Sequence, residues 1–501
     1  MQFSRLTCHL AMIAITCMMV TQTTNAQIYT ALRDGGKGSG DNKGDGQANM
    51  QQTGQSESVD VQVRLSNPTM LSGKNETNYV RISLKGTEPA QTPEAPPVNV
   101  AIVIDTSGSM QGGKIEQARN AAIAAIDRLR DDDIVSVVLY DSVVTVLVPA
   151  TKASDRELMK SKIRSIRADG STALFAGVAK GAAEVRKFLS NSSVNRVILL
   201  SDGQANIGPS SPRELERLGA SLVKEGISVT TLGLGLGYNE DLMSGLAASG
   251  SGNHIFVEEA QDLVAVFNNE FNDLMSVVAS DFKIKVTTSD AVRPVRVLGT
   301  KADIVGHEVY LPLAQLYSKQ ERYFVLEVEV DSAEDAEQAG LLSVDVDYQD
   351  LISGSPASFH TDAIVRFTRD IAEVKAERDY ETFAYCNVQI ANEKNIRATA
   401  LRDAGQIAEA ERLLTSNAIS LEQVLLECRE NDALNVLPEL EVNIKYNRDS
   451  ASMVKEKDWN RSRKVMRGKQ NEIQSQQSSG ILDYFLGGGR SGSSSDSSSS
   501  R

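Results

Sequence analysis

Residues Val98 to Ile104, VNVAIVI, form a β-favouring run that stops at Asp105 and is followed by Thr106-Ser107-Gly108-Ser109. A run this short and this apolar reads as a strand buried on both faces, and such strands belong to parallel sheets covered by helices. Its carboxyl end carries an aspartate and then hydroxyls at alternate positions. In an open α/β sheet that edge is where ligands bind. Hard oxygen donors with one carboxylate among them suit Mg²⁺ or Mn²⁺. The segment points to a metal that stays open to a partner, and so to binding more than to catalysis.

From Val98 to about Ser280 strand and helix patterns alternate. Strands are expected at 98–104, 134–140, 143–148, 195–200, 227–233 and 253–257, and helices at about 114–130, 154–167, 173–189, 211–224, 239–249 and 260–278. In the first helix Ile115, Ala118, Ala122, Ala125, Ile126 and Leu129 recur at helical spacing. Short loops between alternating elements predict an α/β fold, a doubly wound and mostly parallel sheet flanked by helices. The 134–148 pair, joined at Asp141-Ser142, reads as a hairpin with one antiparallel edge strand.

After Asp281 the period changes. DFKIKVTT, VRPVRVLG, RYFVLEVEV and LLSVDVDYQD alternate apolar and polar residues, as do VDVQVRL and NYVRISLKG before the Pro-rich joint TEPAQTPEAPP. This predicts one β-sandwich built from 59–96 and 281–368, with the α/β domain, 97–280, inserted in it. Helical spacing returns over 369–440, with a turn at Gly405, and predicts a helical hairpin. Residues 441–501 read as a polar, largely disordered tail ending in GGGRSGSSSDSSSSR.

A chain of 501 residues allows roughly three domains. Its net charge of −14 argues against a nucleic-acid binder. Arg5, an apolar core over 10–20 and Thr24-Asn25-Ala26 have the form of a signal peptide over 1–26. The polar stretch 27–58 then reads as a disordered leader. The chain is therefore expected to be exported, to the periplasm, the cell surface or the medium, with no membrane span after signal removal. Cys8 and Cys17 fall in the signal. Cys386 and Cys428 remain, and either one disulfide or two buried thiols fits them.

Other candidates carry less. Gly233, Gly235 and Gly237 form GLGLG, which is not G-x-G-x-x-G, and are expected to let the chain pass close to the metal loops. His254, His307 and His360 are far apart, and neither H-E-x-x-H nor G-x-S-x-G is present. His254 is expected to begin a strand and to hydrogen-bond locally. Asp131 to Asp133 reads as a solvated turn.

Three segments stand out together: Asp105-Thr106-Ser107-Gly108-Ser109, Gly170-Ser171-Thr172 and Leu200-Ser201-Asp202-Gly203. With them in view, residues 97–280 resemble a von Willebrand factor type A domain, and the flanking strands and LSDGQAN look like its bacterial exported branch. The three segments match, in order, the family's metal-ion-dependent adhesion site. The resemblance implies that Ser107, Ser109 and Thr172 give hydroxyl oxygens directly to Mg²⁺ (or Mn²⁺ or Ca²⁺). It implies that Asp105 and Asp202 hold coordinating waters. Neutral direct ligands leave the ion undercompensated, so it seeks an Asp or Glu of a protein partner. The resemblance also implies that a shift of the last helix, about 260–278, accompanies metal coordination.

Two readings follow for function. The first is an exported, metal-dependent adhesion or assembly module that is not an enzyme. The alternative is a metal-assisted extracytoplasmic hydrolase, or an envelope-complex subunit whose metal only stabilises loops. No His or Glu lies in the three motifs to serve as general base, which favours the first. Partner identity, preferred ion and oligomeric state are not written in the sequence.

Overall fold

The computed structural model describes residues 52–55, 58–88, 95–334 and 337–476. The expected signal peptide, most of the leader and the Ser/Gly end lie outside the described residues. The chain begins with four strands, β1 (Gln52–Gln55), β2 (Val59–Leu65), β3 (Thr69–Leu71) and β4 (Glu76–Gly86). β1 falls within the expected leader and corrects that expectation. Gln52 to Gln55 pair antiparallel with Asp60 to Val63. A backbone ladder on an open strand edge needs no apolar side chains, so a polar segment can supply it.

The α/β region follows as β5 (Val98–Asp105), α1 (Gly113–Arg128), β6 (Ile134–Tyr140), β7 (Val144–Lys152), α2 (Arg156–Arg164), α3 (Leu174–Val185), β8 (Val194–Ser201), α4 (Pro212–Lys224), β9 (Ser228–Leu234), α5 (Glu240–Ser249), β10 (His254–Val257) and α6 (Leu263–Met275). Its six strands lie in the order β10-β9-β8-β5-β6-β7. All pairs are parallel except β6–β7, which is the antiparallel edge. The order reverses between β5 and β8, so the loops after these two strands diverge and leave a crevice at their carboxyl ends.

Every residue of β5 is buried. Val100, Ile102 and Ile104 pack on one face with Ile115 and Ala122 of α1 and Phe267 and Phe271 of α6. Ala101 and Val103 pack on the other with Leu174 and Val178 of α3 and Leu242 of α5. Each buried Val or Ile contributes about 1.5–3 kcal/mol. That holds the strand, and thus Asp105, in a rigid position.

The next eight strands are β11 (Val277–Thr288), β12 (Val292–Leu298), β13 (Asp303–Val305), β14 (Glu308–Leu311), β15 (Gln315–Tyr317), β16 (Glu321–Val330), β17 (Gln338–Asp350) and β18 (Pro356–Thr368). With β1 to β4 they make two sheets, β1-β2-β4-β16-β12 and β13-β14-β11-β17-β18-β3, with β15 pairing β11. The pairings are antiparallel apart from β18–β3. Their inner faces share one core that includes Val61, Ile82, Ile284, Phe324 and Val344. β4 and β11 flank the α/β region in sequence, and their ends are tied where Gly86 N donates to Gln320 O (2.8 Å) and Ser318 N to Ser276 O (2.7 Å). A Cβ on Gly86 would lie 2.0 Å from Tyr317 O, so this crossing requires glycine.

The C-terminal part contains α7 (Ile371–Ala376), α8 (Tyr380–Asp403), α9 (Ile407–Glu430), α10 (Leu437–Met453) and α11 (Trp459–Ser475). The turn between α8 and α9 is at Gly405, whose φ is +79°. Residues 441–476 correct the expected tail, because they form most of α10 and all of α11. Their packing is largely polar, which hid it. Asn417 donates to Ala391 O (2.8 Å) and Asn447 Oδ1 (2.9 Å), and Gln470 donates to Thr399 Oγ1 (2.8 Å). Cys386 and Cys428 are both buried and unbridged. Burial pushes the Cys386 thiol far up and that of Cys428 up to about 11.

Among the described residues no helix is long and apolar enough to cross a membrane.

Candidate metal centre

Asp105 ends β5, Ser201 ends β8 and Tyr140 ends β6, so three adjacent strands deliver side chains to one edge. Asp105 is fully buried. Its Oδ1 accepts from Ser107 N (2.9 Å) and its Oδ2 from Ser201 Oγ (2.7 Å). Burial raises its pKa above the ordinary carboxylate value, against the opposing effect of the Ser107 and Ser201 hydrogen bonds. These bonds aim the carboxylate and occupy one lone pair of each oxygen.

The other sequence-predicted residues come to the same place. Ser107 Oγ and Ser109 Oγ are 3.0 Å apart, and Ser109 Oγ donates to Asp202 Oδ1 at 2.6 Å. Thr172 is reached through Gly203, where an added Cβ would lie 3.3 Å from Ser109 Oγ, 3.4 Å from Thr172 Oγ1 and 3.9 Å from Asp105 Oδ2. The glycine therefore leaves a small cradle bounded by hydroxyl and carboxylate oxygens. Ser107, Thr172 and Asp202 are buried, while Ser109 is exposed. The cradle thus has a floor and one open side.

The loops are cross-tied. Asp169 N donates to Thr106 O (2.7 Å) and Gly108 N to Gly170 O (3.0 Å). Gly170 takes φ +89°, which a side chain would strain. Thr172 N donates to Asn206 Oδ1 (2.8 Å), and Asn206 N returns to Thr172 O (3.1 Å). The GLGLG segment passes beside this edge, as its glycines imply. A Cβ on Gly237 would lie 2.8 Å from Asp202 O, and Gln204 Nε2 donates to Gly237 O (2.7 Å).

Four residues at the site were given no role from the sequence: Ser201 and Tyr140, which face Asp105, Asn206, which holds the Thr172 loop, and Lys114, which pairs with Asp202 Oδ2. Ser201 and Asn206 lie within LSDGQAN, and Lys114 lies in the first turn of α1, but nothing in their spacing separates them from ordinary turn residues. Asp133 corrects the solvated-turn expectation. It is fully buried, accepts from Val98 N (2.8 Å) and Arg130 N (2.8 Å), and so anchors the start of β5. His254 does begin β10, with Nδ1 2.9 Å from Thr231 Oγ1, and burial lowers its pKa to about 4.

Among the described residues no group of three or more His, Cys, Asp or Glu is arranged to hold a metal. The oxygens gathered at this edge are hydroxyls together with the carboxylates of Asp105 and Asp202. Three hydroxyls, two buried carboxylates and a glycine-made cradle fit a hard divalent cation with a ligand position to spare.

The sequence profile of the von Willebrand factor type A domain matches residues 99–269. The chain is 28% identical over 200 residues to the uncharacterized protein YfbK of Escherichia coli (strain K12), a match covering 40% of this chain and 35% of YfbK. It is 30% identical over 165 residues to inter-alpha-trypsin inhibitor heavy chain H3 of Rattus norvegicus, covering 31% of this chain and 18% of the heavy chain. The match thus spans a minor part of either relative. Two solved structures share the fold. A von Willebrand factor type A protein from Catenulispora acidiphila superposes with a TM-score of 0.60 at 17% identity, over 78% of this chain and 91% of that one. The ArnB paralog VWA2 from Sulfolobus acidocaldarius does so with a TM-score of 0.58 at 18% identity, over 79% and 98%. Strand order, sheet-edge loops and sequence profile agree: residues 99–269 are a von Willebrand factor type A domain.

Proposed function

We propose that the chain is an exported, metal-dependent protein-binding module and not an enzyme. Ser107, Ser109 and Thr172 would hold a divalent ion, with Asp105 and Asp202 holding its waters. The ion, when bound, supplies a Lewis-acidic position for a carboxylate oxygen of a partner protein. The observation that carries this reading is the Gly203 cradle, where hydroxyls from two separate loops and a buried carboxylate come within 3.3–3.9 Å of one point. The residues themselves do the positioning. Ser201 and Ser107 N orient Asp105, Asn206 fixes the Thr172 loop, and the exposed Ser109 marks the open side. Among the described residues no histidine hydrogen-bonds to Asp105 or Asp202, and His254 is held by Thr231 and Tyr238. Export rests on the form of residues 1–26.

The test is Mg²⁺ titration calorimetry on the mature chain, followed by binding to immobilised Asp- and Glu-containing peptides in Mg²⁺ or in chelator. Metal binding that vanishes in Thr172→Ala, with peptide capture that vanishes in chelator, is expected. Peptide capture that ignores the metal would sink the proposal.

A further inference from the structure

We infer that Lys114 is an internal cation that stands in for the metal at Asp202, competes with it, and is released when the ion binds. This rests on the metal-binding reading above and adds a regulation of that same site.

The Asp202 side chain is fully buried, and Asp105, also fully buried, is close enough to raise its burden of negative charge. A buried carboxylate without a counter-charge is strongly unfavourable. Ser109 serves Oδ1, and the ammonium of Lys114 serves Oδ2. The lysine is not a core residue, since its side chain is 36% exposed. Its Cε and Nζ each lie 3.9 Å from where a Cβ on Gly235 would be, so the arm passes beside the loop after β9.

The helix does not favour this position for a cation. Lys114 is the second residue of α1, after an N-cap glycine, Gly112, that provides no side-chain cap. The amino end of a helix is its positive pole, where a lysine is destabilising. Asp202 is therefore what draws the ammonium inward. Once a dication sits in the cradle, the carboxylate has its counter-charge, and Lys114 faces repulsion from both the ion and the helix end. The solvent side is open to it. Release places an ammonium at the rim of a site that takes carboxylates, so metal occupancy and an added attraction for an acidic partner arrive together.

Two measurements test this on the full mature chain. In calorimetry with Mg²⁺ alone, Lys114→Met is expected to bind about tenfold more tightly than the wild type, because a like charge beside the ion is gone, while Lys114→Arg stays near wild type. In the wild type, which needs no substitution to fold, the labelling of Lys114 by an amine-acylating reagent, read by peptide mass spectrometry, is expected to rise several-fold on adding Mg²⁺. Equal or weaker Mg²⁺ binding by folded Lys114→Met, or labelling that falls or stays constant, overturns the role of the lysine while wild-type binding leaves the module standing. Absence of Mg²⁺ binding in both proteins overturns both.

Discussion

Ser109 donates its hydroxyl to the carboxylate of Asp202 at 2.6 Å, joining two loops that lie 93 residues apart in the chain. The bond brings the exposed hydroxyl of one loop onto the buried acid of another, and the cradle at Gly203 lies beside it. Substituting Gly203→Ala puts a methyl group 3.3 Å from Ser109 Oγ and 3.4 Å from Thr172 Oγ1, in the space proposed for the ion. The expected outcome is loss of Mg²⁺ binding by at least about tenfold, or about 1.4 kcal/mol, with an unchanged circular dichroism spectrum. Full-strength binding in a folded Gly203→Ala would place the ion elsewhere.

Metal should also stabilise the fold. A ligand that binds the native state alone adds about 2.7 kcal/mol when present at about 100 times its Kd. Chelation is therefore expected to lower the melting temperature of the wild type and to leave that of Thr172→Ala unchanged. Differential scanning fluorimetry with and without chelator checks this.

Arg196 and Glu270 form a fully buried ion pair at 2.5 Å that fastens α6 to β8, and Arg196 also donates to Gln315 Oε1 (2.7 Å) in β15. Removing one member strands the other, at a cost of about 3–5 kcal/mol. Glu270→Ala is expected to lose that much in urea unfolding, whereas Arg196→Met with Glu270→Leu recovers most of it. Amide exchange over 263–275 should quicken in the single variant, since the last helix then loses its pin. A single variant as stable as wild type would show the pair to be inert.

His254 sets a pH dependence. Its pKa is lowered to about 4 by burial, whereas it titrates near 6.5 when exposed. Between these values the unfolded chain binds the proton and the folded one does not, so stability rises with pH across that window. The contribution is complete above about 6.5 and is lost as pH falls toward 4, amounting to about 3 kcal/mol. Asp273, raised to about 6 by burial, acts oppositely and favours the fold at low pH. The difference between wild type and His254→Gln isolates the histidine. It should grow with pH between 4 and 6.5 in denaturant melts, and a constant difference would count against the buried neutral imidazole.

The C-terminal helix is expected to brace the domain that carries the candidate metal site. Lys464 is buried, donates to Tyr238 O (3.0 Å) and pairs with Glu240 (2.5 Å), while Arg467 pairs with Asp241 (3.0 Å). Lys464→Ala leaves Glu240 nearly buried without this partner. Faster amide exchange in α5, and in the loop between β9 and α5, is the expected readout. Unchanged protection there would show that α11 merely rests on the surface.

The central sheet was readable because each signal is local. VNVAIVI is apolar enough to be a two-faced strand, and Asp105 breaks it where a ligand edge must be. The same holds for the alternation in RYFVLEVEV, which becomes β16. Elsewhere local signals failed. α11 contains Arg463, Lys464, Arg467 and Gln470, whose polarity reads as solvent until their partners are known. Asp133 reads as a turn residue until Val98 N and Arg130 are seen against it.

What the sequence by itself determined is the chemistry at one sheet edge: which oxygens are present, and that buried strands deliver them there, because hydrophobic runs and the residues ending them are properties of adjacent positions. What only the tertiary structure decided is how those oxygens are held and what opposes them. Ser201, Asn206 and Lys114 act through partners 96, 34 and 88 positions away, and a hydrogen bond or ion pair over such separations exists only once the sheet has brought its loops together.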